Sequence, residues 1–146
     1  MKMEKEQIWT FFYGSYMNLD VLKQVNYKPE KWEVAKLNGY DIRISPRANL
    51  FRSDRDCVYG IVATAKHSEL DRLYAHAQNV LGELYLPEAV LVETMKHKFL
   101  PALCYICPKM KPRPAAKDYV DRIVAPAKKL GFPKWYIEKL KSFAPA

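Results

Sequence analysis

The feature that most constrains this chain is the segment Ile8-Trp9-Thr10-Phe11-Phe12-Tyr13, which runs into Gly14-Ser15 and then, within a few residues, into a helical pattern. Consecutive aromatic and β-branched residues predict a buried strand, and Gly14-Ser15 ends it in a turn. Leu19 to Val25 carries apolar residues at helical spacing behind Asn18, which suits an N-cap. A strand that stops on Gly-Ser and passes directly toward a helix start leaves several backbone N–H groups without a ladder partner. Such a concave nest of donors suits a carboxylate or an amide oxygen. Gly14 permits positive φ and the close approach of a ligand. Taken alone, the same loop also reads as an ordinary tight turn.

Other strand-like segments are Trp32 to Ile44, Val58 to Ala65, Tyr85 to Thr94 and Leu103 to Cys107, with a polar turn expected at Arg52 to Asp56. Gly39 and Gly60 mark bends or close backbone approaches. A helix is expected from Ser68, with Asp71 at the third position of a capping box. Its apolar stripe is Leu70, Leu73, Tyr74, Ala77 and Leu81, and Gly82 closes it. Two helices end the chain, Ala116 to Leu130 with Pro126 as a break or kink, and Lys134 to Phe143. Strands with one inserted helix and a helical C-terminus predict an α+β fold. Its sheet is expected to be mixed, mostly antiparallel and curled into a small barrel with flanking helices.

A length of 146 residues fits one domain spanning residues 1–146, and 49% hydrophobic with 27% charged residues excludes disordered and fibrous classes. No apolar run approaches the ~20 residues that span a bilayer, and Met1 to Glu6 lacks a signal-peptide core, so a cytoplasmic chain is expected. Cys57, Cys104 and Cys107 are too few for a disulfide scaffold. Cys104 and Cys107 have the spacing of a metal half-site. In a strand, however, residues three apart face opposite ways, and no second pair completes a site, so small core side chains are expected and no metal. Residues 95–146 hold 12 Lys/Arg against 3 Asp/Glu. That excess could draw nucleic acid, but it falls on helical segments without a nucleic-acid signature. A solvated face is expected.

Three stretches resemble the gamma-glutamylcyclotransferase-like (AIG2-like) family. Phe11 to Asn18 is similar to the family's Y-G-S/T loop. Val58-Tyr59-Gly60-Ile61-Val62 and Ser68 to Leu73 resemble its V-x-G-x-V strand and following helix. Tyr119 to Ile123, Ala127, Gly131-Phe132-Pro133 and Tyr136-Ile137 resemble its C-terminal pattern. The resemblance implies a small gamma-glutamyl or amino-acid-like ligand held by Tyr13, Gly14, Ser15, Tyr16 and Met17, with Gln78, Tyr85 and Tyr119 completing the pocket. It also implies a reaction in which the free amine of a gamma-glutamyl group attacks its own side-chain amide, releasing 5-oxoproline and an amine. One carboxyl group serves both proton steps, donors face the developing oxyanion, and no cofactor is needed.

The sequence departs from the family at that carboxyl group. The family places a glutamate after the inserted helix in a pattern like D-x-x-E-G-V. Anchoring on Leu73 puts Ala77 there, whereas anchoring on Val80 puts Gln78 there, and neither exchanges protons near neutral pH. The acidic candidates for a relocated acid/base are Glu88 and Glu83. Glu83 precedes Tyr85 on the same rim. Glu88 shares the strand face of Leu86, Val90 and Val92, which is either the barrel interior or solvent. His76 is a third candidate and reads more simply as an ordinary helix residue. A member of the fold that binds without catalysing is the alternative.

Overall fold

Pairing along both edges decides the place of the first strand. In a computed structural model, which describes residues 7–146 apart from the side chains of Val80 and Leu81, β1 (Ile8–Phe12) lies between two partners. It runs antiparallel to β3 (Ala48–Ala65) and parallel to β5 (Phe99–Ile106). Because β3 also pairs with β2 (Trp32–Ile44), and β4 (Leu86–Thr94) pairs with both β2 and β5, the sheet closes into a barrel in the order β1-β3-β2-β4-β5. The closing contacts are short, two residue pairs between β2 and β4 and two between β1 and β5. Every pairing but β1–β5 is antiparallel, so the expected α+β fold with a mixed, mostly antiparallel curled sheet is the one observed.

Among the described residues, four helices flank the barrel: α1 (Leu19–Gln24), α2 (His67–Leu81), α3 (Lys117–Lys129) and α4 (Lys134–Lys141). The side chain of Asn18 accepts a hydrogen bond from Asp20 N–H at 2.9 Å and so caps α1. The start of α2 differs from expectation. Its cap is Lys66, and Glu69 takes the third position, accepting the Lys66 N–H at 2.8 Å. The helix begins at His67, so the register places Glu69 and not Asp71 three residues past the cap. Leu70, Leu73 and Ala77 are buried, and Gly82 (φ 74°) ends the helix in the left-handed region. Pro126 does not break α3, which continues to Lys129; Val120, Ile123, Val124 and Ala127 bury its inner face. The Met1 to Glu6 segment and the Leu81 position of the α2 stripe lie outside the described residues.

The polar turn expected at Arg52 to Asp56 is not a turn. Those residues lie within β3, and the β2–β3 hairpin reverses earlier, at Ser45-Pro46-Arg47. Arg52 pairs with Tyr40 and Cys57 with Asn38, so 53–56 face a single residue, Gly39. They form an extended bulge pinned by Ser53 Oγ donating to Asp56 at 2.5 Å, and Gly39 takes the positive φ (87°) that the irregularity demands.

Gly60 is the close approach that the sequence suggests. A Cβ there would lie 2.2 Å from the Phe12 carbonyl oxygen and 2.9 Å from the Phe11 ring. A backbone oxygen cannot rotate away, so Gly60→Ala is expected to destabilise the chain by at least about 2 kcal/mol in urea titration. A loss below about 0.5 kcal/mol would show that β1 yields instead.

Candidate functional site

β1 ends at Phe12, and the next residues hold the loop in place. Tyr13 donates its hydroxyl to the Tyr105 carbonyl on β5 at 2.6 Å. Gly14 has φ −113°, so it is not the left-handed residue the sequence allows. Glycine is favoured there because a Cβ would sit 3.0 Å from the Ala48 Cβ. Ser15–Met17 form one 3₁₀ turn, closed by Met17 N–H to the Gly14 carbonyl at 3.1 Å and anchored by the buried Met17 side chain. Among the described residues, no protein acceptor meets the N–H groups of Gly14, Ser15 and Tyr16. These are the orphan donors that a strand stopping on Gly-Ser predicts.

The donors border a pocket of about 80 Å³, room for roughly six water-sized spheres. The loop contributes Phe12 to Tyr16, α2 contributes Tyr74 and Ala77, and the hairpin turn contributes Arg47 and Ala48. Tyr85, Tyr105 and Tyr119 complete it. Hydroxyl tethers hold the walls. Tyr85 donates to the Ala48 carbonyl at 2.6 Å, while Tyr119 accepts from Ala48 N–H at 3.0 Å and keeps its own proton free to donate. Tyr16 donates to the Leu73 carbonyl at 3.2 Å. The Tyr74 and Tyr105 rings stack 3.8 Å apart, 9° from parallel.

Burial pushes the hydroxyls of Tyr13, Tyr16, Tyr74, Tyr85, Tyr105 and Tyr119 above the ordinary tyrosine value, so the pocket stays neutral on its tyrosine side. Arg47, the one ionised lining group among the described residues, lies over the Tyr119 ring at 4.7 Å. The arrangement is a small aromatic box with amide donors on one rim and a guanidinium on another, suited to a polar molecule that carries a carboxylate.

Tyr13, Gly14, Ser15, Tyr16, Tyr85 and Tyr119 all line this pocket; Met17 and Gln78 do not. Met17 points the other way, to a groove beside Trp32 and Pro126. Gln78 is exposed, because it follows Ala77 by about 100° around α2. Ala77 is 3% exposed and lines the pocket. Glu83 borders an adjoining cleft and accepts a weak hydrogen bond from the Cys107 thiol at 3.6 Å. Glu88 does share the face of the buried Val92, but its side chain is 41% exposed. There it accepts the Tyr40 hydroxyl at 2.6 Å and lies 3.9 Å from Arg52. Burial, with the Glu88 hydrogen bond second, pushes that Tyr40 hydroxyl up to about 12. No carboxylate among the described residues lines the pocket.

The sequence reading did not single out Arg47, Ala48, Tyr74 or Tyr105 as site residues. Arg47 was lost with the misplaced turn, since Ser45-Pro46-Arg47 is the reversal. Tyr74 was legible as one more member of the α2 stripe. Of the cysteines, Cys104 and Cys107 are buried and Cys57 is half-buried, all as free thiols. The basic C-terminal segment places Lys117 and Arg122 on the exposed side of α3, where they pair with Asp121 (2.9 Å) and Asp118 (3.2 Å) at helical spacing. Among the described residues, no helix is long and apolar enough to cross a membrane.

Fold and site together define a small mixed-barrel protein with an aromatic, amide-rimmed pocket at the end of its first strand. The chain belongs to the gamma-glutamyl cyclotransferase, AIG2-like family, whose model matches residues 10–122. Uncharacterized protein loc79017 from Homo sapiens shares the fold with a TM-score of 0.81 and 25% identity, over 97% of this chain and 90% of that one. A structure described as gamma-glutamyl cyclotransferase matches with a TM-score of 0.76 at 25% identity over the same shares of the two chains. YkqA from Bacillus subtilis shows the same fold at 24% identity and a TM-score of 0.75, over 94% of this chain, which spans 54% of YkqA. No curated protein sequence matches the chain significantly.

Proposed function

We propose that this chain binds a small amino-acid-like molecule, of the gamma-glutamyl type, in the tyrosine-lined pocket and holds it without closing the 5-oxoproline ring. The observation that carries this reading is Ala77. Of the two positions that the resemblance allows for the family's glutamate, Ala77 lines the pocket and carries only a methyl group, whereas Gln78 is exposed. Ring closure needs a group that takes a proton from the ammonium and returns one to the leaving nitrogen. Neither the neutral tyrosines nor Arg47 does this near pH 7, since burial holds the former protonated and a guanidinium does not give up its proton. Binding needs less. The Gly14, Ser15 and Tyr16 amides and Arg47 supply donors for carboxylate or amide oxygens, and the tyrosine rings cover the methylenes and face the ammonium. Residues 1–146 act as one unit in this reading, and three free thiols suit a reducing, cytoplasmic setting.

The test is calorimetric titration with a panel of gamma-glutamyl amino acids, followed by mass-spectrometric recovery of the ligand. Saturable binding with the ligand returned intact is expected. Arg47→Ala should weaken binding at least about fivefold through the lost charged hydrogen bond. Catalytic release of 5-oxoproline by the unaltered chain would sink the reading.

One observation favours a second reading. The cleft that Glu83 borders shares Arg47 and Tyr119 with the pocket, so a ligand crossing that boundary brings its scissile bond toward a carboxylate. On this reading the chain is a gamma-glutamylcyclotransferase with a relocated acid/base. The unaltered chain then turns substrate over, and Glu83→Gln stops it. Glu88→Gln tests the other candidate in the same assay.

A further inference from the structure

Behind the loop, on the side away from the tyrosine pocket, lies a groove of about 320 Å³ between α1, the start of β2 and the end of α3. That volume falls in the range of clefts that enclose small organic molecules, roughly 300–1,000 Å³. Met17, Leu19, Pro29, Trp32, Pro126 and Leu130 are its apolar lining. Met17 and Pro126 are buried, whereas Trp32 is 42% exposed, so an indole stands half-open on the groove.

Lys23, Lys28 and Lys129 line the same groove with one carboxylate, Asp20. Asp20 lies 3.9 Å from Lys23, and Lys28 and Lys129 have no carboxylate partner among the described residues. The lip that carries Lys28 is tied to β3 on both sides. Tyr27 is buried and donates its hydroxyl to the Thr64 carbonyl at 2.7 Å, while the Lys31 carbonyl accepts the Thr64 N–H at 2.9 Å. On the opposite wall, Leu130 N–H donates to the Pro126 carbonyl at 2.8 Å and closes the end of α3. The groove is therefore preformed, and a ligand does not have to order it.

Three rigid rings, the indole of Trp32 and the pyrrolidines of Pro29 and Pro126, favour a planar partner over a flexible chain, whose rotors would have to freeze. Two unpaired ammonium groups favour an anion. No arginine lines the groove, so there is no fork to grip a phosphate by two parallel hydrogen bonds, and a singly charged carboxylate is the better match. We propose that the groove is a second binding site, independent of what the tyrosine pocket holds, for an aromatic carboxylate whose ring lies on Trp32 and whose charge meets Lys28 and Lys129.

Three probes separate ring from charge: 2-naphthoate, its neutral counterpart 2-naphthamide, and octanoate, which keeps the carboxylate on a flexible chain. Calorimetry on the full chain should show saturable binding of 2-naphthoate, at least about fivefold tighter than 2-naphthamide, as contacts to two exposed lysines allow, with the ratio shrinking at high salt. Octanoate should also bind at least about fivefold more weakly than 2-naphthoate, for want of a ring to stack. In the double variant Lys28→Gln, Lys129→Gln the lead over 2-naphthamide should fall to about twofold or less, and in Trp32→Leu the lead over octanoate should do the same, with folding of each variant checked by thermal melt. Arg47→Ala should leave 2-naphthoate binding unchanged. No saturable binding of 2-naphthoate, or equal binding of all three probes, overturns the site. A preference that survives the lysine variant but is lost in Arg47→Ala places the probe in the tyrosine pocket and overturns the assignment to this groove. Octanoate binding as tightly as 2-naphthoate overturns the planar ligand class.

Discussion

Ala77→Glu is expected to release 5-oxoproline from gamma-glutamyl amino acids at least about a hundredfold faster than the parent chain, the low end of what a positioned general acid–base supplies. On the proposed reading of the pocket, the other groups that ring closure needs are already present. Unpaired amides at Gly14, Ser15 and Tyr16 can face the carbonyl oxygen as it becomes anionic, and the tyrosine walls keep the reacting groups in a confined, weakly polar space. What is missing is a group that moves a proton, and the Ala77 side chain already points at the space where it would act. A glutamate there fills part of the pocket instead of clashing with core, so the variant should fold, which circular dichroism checks. Its aromatic surroundings would disfavour the charged carboxylate and bring it closer to neutrality, where it can both accept and return a proton. Ala77→Gln has nearly the same volume without proton exchange and should stay at the parent's level. If Ala77→Glu folds, binds and remains as silent as Ala77→Gln, the α2 position is not where the proton moves, and the carboxylate must be sought at Glu83.

What was legible in the sequence divides along a physical line. The strand–loop–helix unit from Ile8 to Gln24 was readable because each of its signals is local: aromatic strand residues, a Gly-Ser stop and an Asn cap. The same holds for α2 and its Gly82 terminus, and for Gly60, whose missing Cβ answers a neighbouring strand. The β2–β3 hairpin was misplaced because polarity was read as a turn. In fact Arg52 to Asp56 are an exposed bulge of a strand, and the true reversal is three residues between apolar Ile44 and Ala48. That error concealed Arg47. Tyr74 and Tyr105 could not be told from core packing, since a stripe residue on α2 and a residue of β5 meet only through the closed barrel. The choice between Ala77 and Gln78 was equally non-local. One residue is about 100° of helix, and the burial of Leu70 and Leu73 is what turns Ala77 inward and Gln78 to solvent.

Buried tyrosines, two of them in the site, set the alkaline limit of the fold. Burial pushes the hydroxyls of Tyr13, Tyr27, Tyr119 and Tyr136 above the ordinary value, and all four are nearly inaccessible to solvent. In the unfolded chain they ionise near pH 10. Above that pH the unfolded state binds fewer protons than the native state, so stability is intact below about pH 10 and falls as pH rises. A tyrosine that stays protonated in the fold contributes a loss of up to about 1.4 kcal/mol per pH unit, so four such groups lose at most about 5.6 kcal/mol per unit, comparable to the whole stability of a small domain. Cooperative unfolding is therefore expected near pH 11, with the tyrosinate absorbance rising in the same step as the loss of circular dichroism. Tyr27→Phe keeps the ring, removes the hydroxyl that donates to the Thr64 carbonyl at 2.7 Å, and should make the pH dependence of urea stability shallower by one tyrosine's share. Gradual tyrosinate formation in a chain that stays folded to pH 12 would contradict the burial on which this rests. Because the same desolvation keeps the pocket hydroxyls protonated, ligand affinity should lose nothing to tyrosine ionisation up to about pH 10 and then collapse with the fold itself.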